Sequence, residues 1–97
     1  MPGYIGLLKY TQQGIADIKN APERIKQSKA LAEKMGIRPI GTWVTMGPYD
    51  LVIIGEAPDD QTMAAFSLAL GRAGNVTTTT MRALSEEEFA QVVARLP

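Results

Sequence analysis

An α+β fold, with strands and helices alternating as β-α-β-β-α-β and one further helix at the end, is what this 97-residue chain predicts. Two observations carry that reading. The apolar period switches repeatedly between two and about 3.6 residues, the periods of a strand and of a helix. The second and third apolar runs are separated only by a short turn at Gly47-Pro48, so they must be antiparallel neighbours, whereas the other runs are separated by helix-length segments.

The elements follow in order. "GYIGLLKYT" (3–11) alternates and is rich in apolar and aromatic residues, hence a first strand with Ile5 and Leu7 on one face and Tyr4, Leu8 and Tyr10 on the other. "QQGIADIKN" is loosely helical, weakened by Gly14 and Asn20. Pro22 suits the first turn of a helix over about 22–35, where its missing N–H costs nothing. That helix aligns Ile25, Ser28, Ala32 and Met35 with Leu31 beside them, and Gly36 caps it.

"IRPIGTWVTM" (37–46) is a second strand, with Pro39 at its beginning or on an edge. "YDLVIIGEA" (49–57) is a third, apolar on both faces between Leu51 and Ile54. Pro58-Asp59-Asp60 opens a helix to about Arg72, its acids at the positive end of the helix dipole and Met63, Phe66 and Leu70 inward. "NVTTTTMRA" (75–83) is a fourth strand, since β-branched threonines fit poorly in helices. Ser85 and Glu88 have the spacing of a capping box, and Phe89, Val92, Val93 and Leu96 form the apolar side of the final helix.

Two split β-α-β units around a central hairpin describe the ferredoxin-like arrangement: one antiparallel sheet, helices on one face. Those helices cover only one side of strands that are apolar on both. A second copy of the same sheet, packed by two-fold symmetry, is the simplest cover, so the chain is expected to be at least a homodimer.

Composition narrows the chemistry. The 45% hydrophobic and 21% charged residues are ordinary for one globular domain, expected over 1–97. Ten basic and ten acidic residues give a net charge of +0, which offers no electrostatic case for nucleic acid or an anionic membrane. Charge is divided, though: residues 1–48 hold seven bases and three acids, and residues 49–97 three bases and seven acids. This suits either complementary surfaces in self-assembly or simply solvated helix faces.

The absence of cysteine excludes disulfides and thiolate chemistry, and the absence of histidine removes the commonest general base and metal ligand. The start "MPGYIGLLKY" has neither a basic leader nor a cleavage site, and the aliphatic run Leu51–Ile54 is far short of a membrane span. A soluble cytoplasmic protein without cofactor or metal is the expectation.

The segments "TQQGIADIKNAPERIKQSKALAEKMG" and "GTWVTMGPYDLVIIGEAPDDQTMAAFSLALGRAGNVTTTTMRA" resemble the GYD family, whose name reflects a Gly-x-Tyr-Asp signature, here Gly47-Pro48-Tyr49-Asp50. The likeness covers residues 3 to about 84 and is specific because several segments agree in order and spacing. It implies a dimeric α/β barrel, two ferredoxin-like sheets closing between subunits. It implies no activity, because fold relatives range from cofactor-free oxygenases to ligand binders.

Candidate site residues follow from type and position. Tyr49 and Asp50, if both on a strand, point to opposite faces; one could line a pocket, or both could serve the turn. Glu56 shares a face with Asp50 but lies roughly 20 Å away at about 3.3 Å per residue, too far for a carboxylate dyad. In an apolar barrel interior Glu56 would hold its proton tightly and could accept one in catalysis; pairing with Arg38, Arg82 or Lys9 is the alternative. Asp59 and Asp60 with Glu56 make a weak metal set, better explained as helix caps. Tyr10, Trp43 and Tyr49 could line a ligand pocket, or simply pack. Pro2 as a catalytic amine would require removal of Met1.

Three functions remain open. The chain binds a small apolar or aromatic molecule in the barrel or between subunits, which the two-sided apolar sheet favours. Or it is a cofactor-independent oxygenase or isomerase using Glu56, Asp50, Tyr10 or Tyr49. Or it is an assembly protein with no pocket.

Overall fold

Alternation in each strand divides its side chains between the two faces of a sheet, and the pairing of strands decides which of them meet. In the computed structural model, which describes residues 1–97, β1 (Gly3–Tyr10), β2 (Arg38–Val44), β3 (Leu51–Glu56) and β4 (Val76–Ala83) form one sheet in the order β2-β3-β1-β4. Every neighbouring pair is antiparallel. The helices are α1 (Gln12–Ala16), α2 (Ala21–Lys34), α3 (Asp60–Arg72) and α4 (Glu86–Val93), with a 3-10 turn at Ile18–Asn20. This is the ferredoxin-like α+β arrangement that the residue pattern predicts. No helix is long and apolar enough to cross a membrane.

The core lies between the sheet and α2 and α3. Tyr4, Ala32, Ile37, Ala57, Met63 and Phe66 form one buried cluster, with Leu31, Met35, Ile53 and Leu70 packed against it. Tyr4 and Leu8 are buried and Ile5 and Leu7 only half-buried, so the alternation expected for β1 holds. Ile53 fills the space that Gly6 leaves: a Cβ on Gly6 would stand 2.7 Å from its Cγ1.

One local expectation, that Tyr49 and Asp50 lie on a strand, needs correction, and the structure adds two further details. The loosely helical stretch after β1 is a short α-helix followed by a 3-10 turn. β2 ends at Val44 and β3 begins at Leu51, so Tyr49 and Asp50 belong to the connection and not to a strand. A bulge between Pro39 and Gly41 also shifts the β2–β3 register, turning Ile40 out to solvent.

Gly14 looks like a defect in a helix, yet contacts explain it. Thr11 caps α1 by accepting from Gly14 N–H (3.1 Å) and donates its hydroxyl to the Gly74 carbonyl (2.6 Å). Its own N–H donates to the Asn75 carbonyl (3.0 Å). Gln13 adds bonds to Ala73 O and Asn75 Oδ1. α1 therefore clamps the turn between α3 and β4, and it comes so close that a Cβ on Gly14 would lie 2.1 Å from the Asn75 carbonyl oxygen.

Gly14→Ala separates these two accounts. Helix propensity by itself would stabilise the chain by about 1 kcal/mol; the backbone clash should outweigh it and give a net loss of about 1–3 kcal/mol. The urea midpoint of unfolding measures which prevails.

Candidate functional site

The register brings the open face of the sheet together row by row. Gly41, Ile54, Ile5 and Met81 lie side by side across the four strands, and Trp43, Val52, Leu7 and Thr79 form the next row. These rows face away from the helices. Trp43 remains 52% exposed and Met81 43% exposed. The Trp43 ring lies over Gly41, where a Cβ would meet it at 2.3 Å. The absent side chain at 41 is what lets the indole lie flat on the sheet.

Polar groups stand at both ends of these rows. At one end Arg38 Nε reaches Glu56 Oε1 at 3.3 Å across the paired positions 38 and 56. At the other, Lys9 Nζ stands 5.3 Å from the centre of the Tyr49 ring. An apolar band with charged ends is the result. Glu56 thus lies beside the Arg38 guanidinium at the band's margin.

The Gly-x-Tyr-Asp segment is a brace at the end of the sheet. Gly47 has φ +123, a conformation that side-chain-bearing residues rarely adopt. Thr45 closes the connection from the other side, its N–H donating to Asp50 O (2.8 Å) and its hydroxyl to Tyr49 O (2.7 Å). Asp50 continues the β1–β3 ladder past its last pair: its N–H donates to Leu8 O (2.8 Å), and its Oδ2 accepts from Tyr10 N–H (2.8 Å). A carboxylate here replaces the backbone carbonyl that the ladder lacks.

On the other face, α2 and α3 stand apart over the sheet. Between them opens a groove of about 250 Å³, lined by Leu8, Tyr10, Ile25, Leu31, Leu51 and Leu70 among others, with Arg24, Ser28, Thr42 and Asn75 as its polar members. A smaller apolar hollow of about 50 Å³ lies beside Tyr4, Ile37 and Phe66. No carboxylate lines either cavity. The three aromatics proposed as one pocket lining are divided: Tyr10 lines the helix-side groove, Trp43 lies on the open face, and Tyr49 sits in the turn. One-strand alternation could not reveal this, because the division depends on which face the helices take.

A second polar cluster escaped sequence reasoning. Tyr4 donates its hydroxyl to Asp60 Oδ1 at 2.5 Å, and this bond, with burial second, raises the tyrosine above its ordinary pKa. Arg82 lies over the Tyr4 ring at 5.7 Å, donates to the Gly3 and Ala83 carbonyls, and pairs with Glu88 at 3.3 Å. The predicted capping box is formed: Ser85 N–H donates to Glu88 Oε1 (3.1 Å) and Glu88 N–H to Ser85 Oγ (3.0 Å). The Ser85 N–H and then Arg82 hold Glu88 below the usual glutamate range. Asp59 caps α3, and the hydroxyl and N–H of Thr62 lower it likewise. Asp59, Asp60 and Glu56 do not gather into a metal-holding group.

Comparison with known proteins agrees with this architecture. The family model described as GYD domain matches residues 4–93. A Thermus thermophilus protein described as "Glutamine synthetase and cystathionine beta-lyase binding protein" is 36% identical over 97 residues, 99% of each chain. The crystal structure of FFRP-DM1 superposes with a TM-score of 0.62 over 87% of this chain and 100% of that one. At 19% identity that likeness shows the fold alone.

Two outcomes follow from these bonds. Asp50→Ala should cost about 1–3 kcal/mol by leaving Tyr10 N–H without its acceptor, while Asp50→Asn, which keeps an oxygen there, should cost less; denaturant titration of both variants ranks them. Glu88, with a lowered folded pKa, contributes stability that is present above the unfolded glutamate value of about 4.3 and lost as pH falls through the lower folded value. The amide signals of α4 should therefore weaken from about pH 4 downward, and Glu88→Gln should remove that dependence.

Proposed function

Because the chain belongs to the GYD domain family, we propose that it is a self-associating binding protein whose work is done by its surfaces. The observation that carries this is the apolar band of Ile5, Leu7, Val52, Ile54, Trp43 and Met81 on the open side of the sheet. Antiparallel sheets that face water on one side alternate apolar and polar residues. This one does not. A second copy packed face to face by two-fold symmetry would bury the band, with Lys9–Tyr49 and Arg38–Glu56 at its rim, giving a dimeric barrel.

The assembled protein then binds a partner protein. The Thermus relative is named for binding two enzymes, and the identity runs along both chains from end to end. That supports carrying protein binding over to this chain. A second reading, a small apolar or aromatic molecule held between the two sheets, is favoured by Trp43: its flat, half-exposed indole over Gly41 is a stacking platform. Catalysis has less support. The carboxylates proposed for it, Glu56 and Asp50, are paired with Arg38 and with Tyr10 N–H, and neither lines the helix-side groove or the hollow beside it.

The test is mass in solution. Native mass spectrometry should give an even number of chains for the wild type and a halved mass for Leu7→Asp, which puts a charge in the middle of the band; a strictly monomeric wild type refutes the proposal. Mixing the dimer with purified glutamine synthetase and cystathionine β-lyase, with detection by co-migration on size exclusion, checks the protein-binding half.

A further inference from the structure

The two edges of the sheet are not alike. β2 forms one edge, where Pro39 and the bulge between Pro39 and Gly41 interrupt the outer line of backbone donors. β4 forms the other as eight unbroken residues, Val76–Ala83, with neither proline nor bulge. Thr11 N–H donates to Asn75 O, so the positions that exchange bonds with β1 are Asn75 and every second residue after it. The N–H and C=O groups of Val76, Thr78, Thr80 and Arg82 therefore point out of the sheet edge, where the chain offers them no backbone partner.

We propose that β4 of one copy pairs antiparallel with β4 of a second copy, giving one sheet of eight strands, four from each. A two-fold axis through Thr79 sets Val76 opposite Arg82 and Thr78 opposite Thr80, so all four outward residues of each copy find partners. The side chains suit this register. Threonine faces threonine across the axis, and Arg82, the only charged residue of the strand, faces Val76 and no like charge.

α3 selects the same partner. It lies along β4, with Ser67 bonded to Thr80 at 2.9 Å and with Leu68, Gly71 and Arg72 around a hollow that reaches Thr78. Leu68 thus stands level with Thr79, beside the axis, and it is 74% exposed. The exposed side of α2 carries Glu23, Lys26, Lys29, Glu33 and Lys34, whereas residues 61–71 of α3 hold no charge, and Ala64, Ala65, Leu68 and Gly71 are exposed there. Pairing the strands by the two-fold brings both α3 helices side by side, and the small residues around Leu68 let them approach. A foreign strand added to this edge would satisfy the same backbone groups but leave Leu68 in water. The contact uses the edge and α3, so it goes beyond the face-to-face dimer and does not rest on it; together the two contacts assemble at least four chains.

Amide hydrogen exchange, read residue by residue by NMR on the purified chain, tests the pairing. Thr77, Thr79, Met81 and Ala83 are bonded to β1 in any case. Val76, Thr78, Thr80 and Arg82 should be protected as well, and their exchange at the rate of exposed loop amides overturns the proposal. Thr78→Pro removes an outward N–H and leaves the bonds to β1, so it should halve the native mass; an unchanged mass overturns the pairing. If that variant does not fold, Leu68→Cys decides. The chain has no other cysteine, and a short bismaleimide should join two copies. Chains joined only face to face hold their α3 helices on opposite outer sides, so absence of this crosslink overturns the two-fold. A Leu7→Asp background separates the interfaces. A dimer crosslinked at position 68 is expected there, and a monomer overturns the edge contact. An unchanged native mass for Leu7→Asp with the crosslink intact refutes the face-to-face dimer alone.

Discussion

One constraint governs this molecule: its sheet is apolar on both faces, and its own helices lie on one. α2 and α3 bury Tyr4, Leu8 and Leu51 on their side. On the other side Ile5, Leu7, Val52 and Ile54 alternate with them by the geometry of a strand and are left half-buried. A strand cannot hide one set without presenting the other. At about 25 cal/mol per Å² of apolar surface removed from water, covering that band would stabilise the chain.

The residues that give the family its name act on this constraint from the end of the sheet. Gly47 supplies the positive φ of the connection, and Asp50 lends its side chain to Tyr10 N–H where the ladder runs out of backbone acceptors. Tyr49 reaches back to Lys9 at the margin of the open face. A glycine, an aspartate and an aromatic in this spacing look like catalytic furniture when they are read as a motif. In space they terminate β1 and β3 in register, which keeps the apolar rows aligned across the strands.

The clamp at the other end has comparable structural weight. Arg82 sits on the Tyr4 ring, bonds the carbonyls where β1 and β4 meet, and holds Glu88 of the last helix. It ties the direction of α4 to the buried core through Tyr4, which is itself bonded to Asp60 at the start of α3. Three elements distant in sequence are thereby fixed by one guanidinium and one phenol.

Much was legible in the residues themselves. Period-two and period-3.6 patterns, the Gly47-Pro48 turn, the threonine run and the Ser85–Glu88 spacing determined the elements, their order and the ferredoxin-like topology, because each rests on contacts a few residues long. They also determined that the sheet is apolar on both sides. Which residues share a site was decided only by the tertiary structure. Tyr10 faces the helices while Trp43 lies on the open face and Tyr49 at its margin, Glu56 meets Arg38, and Asp50 bonds a backbone amide forty residues away. Such pairings depend on register, on a bulge at Pro39–Gly41 and on the side the helices choose, and none of these has a signature within one strand. Gly14 shows the same division at a single residue: local propensity marks it as a weakness, and only the carbonyl of Asn75, packed against it from far along the chain, explains why nothing larger stands there.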